Sequence, residues 1–446
     1  MKTLIQNVQV VNEGNIFRAD VCIENEKISA IEKPLTVDSQ WASEVIDGTD
    51  LHLLPGMIDD QVHFREPGLT HKGNIYSEAR AAVAGGITSF MEMPNTVPNT
   101  VTLDELEKKY DRAAEVSLAN YSFYIGATQN NADVIASIDT KNVCGIKIFM
   151  GSSTGNMLVD NEESLNAIFK NAKTLIATHC EDDKMIAENM VRAQSQYPTG
   201  IPIQMHPVIR DADACYASSS KAIALAKKHD AQLHILHIST AKEIALFQND
   251  IDLKDKRITA EACVHHLWFS DADYDTLGSR IKWNPAVKSA EDRAAIRQAV
   301  KDGFIDVLAT DHAPHTLEEK SNPYGSCPSG GPLVQHVLVA LLDMYHQGIF
   351  SLEEIVQKAA HNVATLYKIP NRGFIRPGYQ ADLVLVNLNQ PWLAKDDNAA
   401  YLCQWTPFHG HLFKSQVVST FVNGHRVYTT GAWDETVRGQ RLQFAR

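Results

Sequence analysis

Apolar and polar residues alternate in short runs through the first fifty positions. The runs are Thr3 to Val11, Ala19 to Glu24 and Ile28 to Ile31, broken by turn residues such as Asn12-Glu13-Gly14-Asn15. Period-two alternation between turn signals predicts a small β unit over residues 1–50. From 51 to 365 the rhythm changes to an apolar strand followed by an amphipathic helix, repeated. Candidate strands cover 53–64, 87–93, 120–127, 143–150, 174–180, 231–238, 257–263 and 305–311. Helical stretches fall between them, among them Ile75 to Ala84, Leu103 to Glu115, Ala214 to Lys228 and Glu291 to Lys301. Eight such units in a segment of this length fit a (β/α)₈ TIM-type barrel. An open doubly wound sheet is the competing layout. It calls for a glycine-rich phosphate turn after the first strand, which Gly48 and Gly56 do not make. Residues 366–446 return to strands at Ala381 to Val386, Val417 to Val422 and His425 to Tyr428, and Asn423-Gly424 is a two-residue hairpin signal. The expected class is therefore α/β: a catalytic barrel over 51–365 and a small β-sandwich satellite built from both chain ends.

Charge and cysteine usage narrow the function. Lys and Arg number 41 against 54 Asp and Glu, a net charge of −13. That excludes nucleic acid or an anionic membrane as a bulk partner, while leaving room for a small acidic substrate gripped by one local arginine. Seven cysteines stand without a CxxC pair, the pattern of reduced thiols in a cytoplasm. Neither a signal segment nor a run of 18 apolar residues occurs, so the sequence gives no support to secretion or membrane insertion.

In a barrel of this kind the chemistry lies at the C-terminal strand ends. In the first candidate strand, alternation turns Asp59, Gln61 and His63 one way, and Ile58, Val62 and Phe64 towards a helix layer. Arg65 follows just past its end. The second strand offers Asn95, the fourth places Lys147 among apolar neighbours, and the fifth offers His179. The sixth carries His234 and His237 on opposite faces, and the eighth ends in Asp311. Any one of these has an ordinary structural explanation. Together, strand after strand supplies a nitrogen or oxygen ligand at the same end, and three histidines, an aspartate and a buried lysine suit a borderline metal such as Zn²⁺.

The set Asp59-Asp60-Gln61-Val62-His63, Lys147, His179, His237 and Asp311 resembles the amidohydrolase superfamily. Within it Phe64-Arg65-Glu66-Pro67-Gly68, Met93-Pro94-Asn95-Thr96, Ala309 to His315 and Gly378 to Leu383 look like the dihydroorotases of the longer bacterial class. The resemblance implies reversible hydrolysis of L-dihydroorotate to N-carbamoyl-L-aspartate in pyrimidine synthesis. It also implies two zinc ions, one held by His63 and Asp311 and the other by His179 and His237, bridged by a CO₂-derived carbamate on Lys147. Asp311 becomes the catalytic proton carrier. Arg65, Asn95 and His315 become carboxylate-holding residues, Asn284 a further substrate contact, and Gly330 and Gly331 part of a loop facing the pyrimidine edge. His265 and His266 match a family motif without an evident role. A homodimer, and association with aspartate transcarbamoylase, are the implied assemblies.

One position departs from the pattern. The family's first strand reads His-x-His, whereas this chain reads Gln61-Val62-His63. An amide oxygen is a weak zinc ligand, so one metal is expected to be tight and its neighbour weak. Two rivals stay open: a hydantoinase- or allantoinase-type cyclic amidohydrolase, and a non-catalytic scaffold for aspartate transcarbamoylase.

Overall fold

The computed structural model describes residues 1–151 and 157–446. Eight barrel strands are formed by β1 (Met57–Val62), β2 (Ile87–Glu92), β3 (Asn120–Phe123, continued by Ile125–Gly126), β4 (Ile146–Phe149), β5 (Ile176–His179), β6 (Leu233–Ile235), β7 (Ile258–Cys263) and β8 (Val307–Ala309). Neighbours pair in parallel from β1 through β8. The ring closes where Val62 bridges His312 and the His63 N–H donates to the His312 carbonyl at 2.7 Å. Asp59 clasps this seam: its carboxylate accepts from the Thr310 amide at 3.2 Å and the Thr310 hydroxyl at 2.6 Å.

The outer helices begin where polar side chains cap them. In the helix Ile75–Ala84 the Asn74 side chain accepts from the Ser77 amide, and the Ser77 hydroxyl accepts from the Asn74 amide. Two of the N–H groups at the helix start are thus satisfied, and the helix's alanine-rich face is buried. The barrel floor is an apolar plug of Ile58, Met91, Tyr124, Leu175, Leu236 and Val307, closed from below by Tyr367, Leu442 and Phe444.

Both chain ends build one nine-stranded sheet, with Lys2–Asn12 and Leu383–Asn387 near its centre. The single apolar run expected over 53–64 is two strands. His52–Pro55 pairs with Lys2–Asn12 and Leu383–Asn387 in the satellite sheet, and only Met57–Val62 enters the barrel. Gly56 stands between them because its α-carbon abuts the Thr88 side chain; an added Cβ would lie 2.2 Å from it. The last residues also depart from the expected satellite, since Leu442 and Phe444 return to the barrel floor.

Alternation fails at two points, each with a visible cause. The pairing of β1 with β2 slips between Asp59 and Val62, a bulge that lets Ile58, Asp60, Gln61 and His63 all face the barrel interior. Ile58 thus faces the interior floor, not the helix layer. His234 and His237, expected on opposite faces, are both inside. His237 takes φ +40, and this left-handed turn at the strand end rotates its side chain back towards the axis.

Candidate metal and substrate site

At the C-terminal mouth of the barrel lies a cavity of about 240 Å³. The structure brings Gln61, His63, Arg65, Asn95, Lys147, His179, His237, Asn284, Asp311, His315 and Gly330 to its walls, together with Phe149, Trp283 and Ser329. Gly331 is not among them. Its carbonyl accepts from the Ala313 amide at 3.0 Å, and its α-carbon lies against Trp283, so it packs the loop instead of facing the cavity. His265 and His266 lie deeper. His265 stacks on Trp283 at 4.6 Å between centroids, and the His266 Nε2–H donates to the Pro285 carbonyl at 3.1 Å, which makes both supports of the cavity wall.

Two facing pairs of donor atoms define the centre. His63 gives its Nδ1 proton to the Asn95 Oδ1 at 2.8 Å, and burial holds its pKa well below the ordinary histidine value. The ring is neutral, and its Nε2 lone pair faces the Asp311 Oδ1 at 3.2 Å. His179 gives its Nε2 proton to Glu181 at 3.0 Å, leaving its Nδ1 3.0 Å from the His237 Nε2. Burial likewise keeps His237 neutral. With the His237 proton on Nδ1, which has no partner among the described residues, and Asp311 ionised, lone pairs face one another across both gaps, and a cation between them stabilises that arrangement. Two ligand atoms on one tetrahedral zinc stand about 3.3 Å apart, given bonds of about 2.0 Å. The donor set therefore fits divalent metal. Glu181 is held in turn by Arg210, and burial opposed by that guanidinium leaves its pKa at about 2, a permanent acceptor for the His179 proton.

Lys147 is 1% exposed, its ammonium 4.7 Å from the Phe149 ring centroid. Burial lowers its pKa to about 8, so the neutral amine that carbamate formation requires is within reach at physiological pH. Gln61 is oriented away from ligation. A carboxylate can only accept, so the amide N–H₂ points to the Asp311 Oδ1 at 3.2 Å, and the amide oxygen turns to the Cys263 thiol at 3.7 Å. Asp311 itself takes φ +48, and burial pushes its pKa to about 7 despite nearby Lys147.

The opposite wall is cationic. The Arg65 Nε–H donates to the Pro314 carbonyl at 3.0 Å, and its Nη2 lies 3.0 Å from the His315 Nε2. The Lys72 ammonium lies 3.1 Å from the His315 Nδ1 and 3.1 Å from Glu319. The loop carrying Ser329 and Gly330 is pinned by Lys320, which donates to the Gly330 carbonyl at 2.8 Å and the Pro328 carbonyl at 3.0 Å.

Sequence reasoning passed over three further residues inside the barrel: Asp60, His234 as a partner of acids, and Glu261. Their ligand atoms converge within 4.8 Å of one another. The available signal was an acid at Asp60 and another at Glu261 in strands otherwise read as buried. Glu181 and Arg210 were missed because they act through His179 and sit outside any strand.

Several dihydroorotases align with nearly the whole chain. That of Halobacterium salinarum is 33% identical over 425 residues, 95% of each chain. That of Ligilactobacillus salivarius is 30% identical, covering 96% of this chain and 99% of its own. Among solved structures, the L-hydantoinase of Arthrobacter aurescens superposes with a TM-score of 0.92 at 24% identity over 99% of both chains. A dihydropyrimidinase from Brevibacillus agri superposes at 0.89 and 24% over all of both. These superpositions speak for the fold. The amidohydrolase family model matches residues 52–427. A match over most of the chain, on a barrel whose strand ends carry this donor set, gives the family: the chain belongs to the amidohydrolase family and is a metal-dependent cyclic amidohydrolase.

Proposed function

We propose that the protein is a dihydroorotase, opening the cyclic amide of L-dihydroorotate to N-carbamoyl-L-aspartate and closing it again in pyrimidine synthesis. The observation that carries this reading is the cationic wall. Arg65 is 7% exposed and has no carboxylate within ion-pair distance among the described residues. Glu319 pairs with Lys72 at 3.1 Å, Glu92 with Lys109, and Asp311, the acid that acts most on Arg65, belongs to the proposed metal centre. One positive charge is left over beside a small cavity. A buried charge needs a partner, and a ring-attached carboxylate supplies one. Substrates of the hydantoin and allantoin type lack that group.

His63 and Asp311 would hold one Zn²⁺, and His179, His237 and the carbamate of Lys147 the other. When bound, the ions supply Lewis acidity, lowering the pKa of water and polarising an amide carbonyl. The chain's own residues do the rest. Arg65 offers its free guanidinium N–H groups to the substrate carboxylate in a planar fork, with His315 and Asn95 at its sides. Asn284 and the Ser329–Gly330 backbone border the ring. Asp311 takes a proton from the attacking water and returns it to the departing ring nitrogen. Phe149 and Trp283 limit water around the reacting amide. The relatives' names and the residues gathered here support this reading over its rivals.

The test is a substrate comparison on zinc-loaded protein. Dihydroorotate turned over with kcat/KM at least about 10²-fold above hydantoin and allantoin is expected. Preference for a ring without the carboxylate would overturn the assignment, and no turnover of any of them would favour the scaffold reading.

A further inference from the structure

Two to three residues below the proposed catalytic ligands, towards the N-terminal strand ends, a second donor set faces the barrel axis. Asp60 on β1, His234 on β6 and Glu261 on β7 are each 0% exposed. The His234 Nε2 lies 3.2 Å from the Asp60 Oδ2 and 3.8 Å from the Glu261 Oε2. Each side chain is braced from behind. The Thr259 hydroxyl gives its proton to the Leu233 carbonyl at 3.3 Å, so its oxygen accepts the His234 Nδ1–H at 2.8 Å. The Glu261 Oε1 accepts the His237 amide at 2.8 Å and the Cys263 thiol at 3.2 Å. The Asp60 Oδ2 accepts the Tyr367 hydroxyl at 2.9 Å. The Asp60 Oδ1, the Glu261 Oε2 and the His234 Nε2 are left without a hydrogen-bond partner in a place closed to solvent.

We propose that Asp60, His234 and Glu261 bind a divalent cation of the zinc type, separate from the catalytic centre, that ties β1, β6 and β7 together across the barrel interior. With Nδ1–H given to Thr259, the His234 Nε2 faces two carboxylates, an arrangement that needs positive charge between them, either a second ring proton or a cation. One proton on that nitrogen leaves a net negative charge buried unless Glu261 carries a second. A divalent ion leaves none. One imidazole and two carboxylates make a set that a borderline cation takes, and bracing of each ligand by an outer partner is how such ligands are held. Because Glu261 also receives the His237 amide, an ion here would steady the backbone turn that aims His237 into the cavity above.

Crystals of metal-free protein soaked in ZnCl₂ test this through anomalous scattering at the zinc edge. The expected result is a peak bounded by the His234 Nε2, Asp60 and Glu261. It should disappear in Glu261→Gln or Asp60→Asn crystals while the peaks at His179, His237, His63 and Asp311 stay. If the upper peaks form and the lower does not, the triad is held by protons alone and the inference fails while the proposed function stands. If no peak forms anywhere, both fail.

Discussion

Replacing Arg65 with lysine separates charge from geometry at the proposed carboxylate clamp. Arg65 spends its Nε–H on the Pro314 carbonyl and directs Nη2 to His315, both at 3.0 Å, which fixes the guanidinium plane. The remaining N–H groups are available to a ligand. Burial already lowers the Arg65 pKa to about 10, so lysine at this position stays cationic near neutrality only as long as its own burial cost is met. One ammonium cannot keep the Pro314 tether and also offer two parallel donors. At least one charge-assisted hydrogen bond is then lost, worth about 1.5–3 kcal/mol. That translates into a fall of about 10- to 150-fold in kcat/KM. Steady-state kinetics in both directions, with dihydroorotate and carbamoyl aspartate, measures it. A cyclic amide without a carboxylate serves as control and should respond much less. Unchanged KM and kcat for both proposed substrates would refute the clamp, and an equal loss on the control would make Arg65 a packing residue.

Three other perturbations follow from the same geometry. Asp311→Asn keeps size and burial but cannot carry the proton, so kcat should fall at least about 10²-fold with the fold intact by circular dichroism; near-normal turnover would remove the role. Gln61→His places an imidazole where an amide now turns its nitrogen to Asp311, and metal content by elemental analysis should rise by about one ion per chain after dialysis against chelator; no rise, with two catalytic ions already tight in the unmodified protein, would show the asymmetry argument wrong. His336 is fully buried, its Nδ1 2.6 Å from the Tyr401 hydroxyl, and burial lowers its pKa to about 3. The folded value lies below the unfolded one of about 6.5, so the unfolded chain takes the proton first, and stability present above pH 6.5 is lost as pH falls towards 3. In His336→Phe that loss is absent. The stability gap between the two proteins, from denaturant unfolding, should narrow by about 2 kcal/mol between pH 7 and pH 5; a constant gap would contradict the neutral buried ring.

Periodicity was informative wherever an element is regular over its own length. The helix Ile75–Ala84 has the boundaries its apolar spacing indicates, Leu103–Val116 runs one residue longer, and Ala290–Asp302 one residue longer at each end. Asn423 and Gly424, at φ +48 and +77, make the tight hairpin that the dipeptide indicates. What local pattern could not carry is register. The β1 bulge arises from how β1 sits on β2, and it moves Asp60 and Gln61 to the same side. No feature of the pentapeptide Asp59-Asp60-Gln61-Val62-His63 encodes it. The same holds for His52–Pro55. Its apolar run is continuous with β1, and only its pairing with strands from both chain ends assigns it to the satellite sheet.

The eighteen histidines illustrate a finer limit, and a way past it. A histidine whose two ring nitrogens are both bonded within the protein has no lone pair to offer. His312 is such a case: its Nε2 lies 2.9 Å from Glu78, and its Nδ1 accepts the Leu333 amide at 2.9 Å. His206 is another, between the Tyr324 hydroxyl at 2.9 Å and the Trp283 carbonyl at 2.6 Å. Both stand close to the cavity and are fully buried, so position and burial alone would recruit them. His63, His179 and His234 differ in one respect. A neighbouring acceptor, Asn95, Glu181 or Thr259, takes the proton of one nitrogen and turns the other towards a carboxylate or imidazole from elsewhere in the barrel. Such an arrangement calls for positive charge between the facing atoms, a further proton or a metal ion. The partner of the second nitrogen thus separates a ligand from a structural ring. That partner comes from a different strand or loop in each case, so the distinction appears only once the chain has folded.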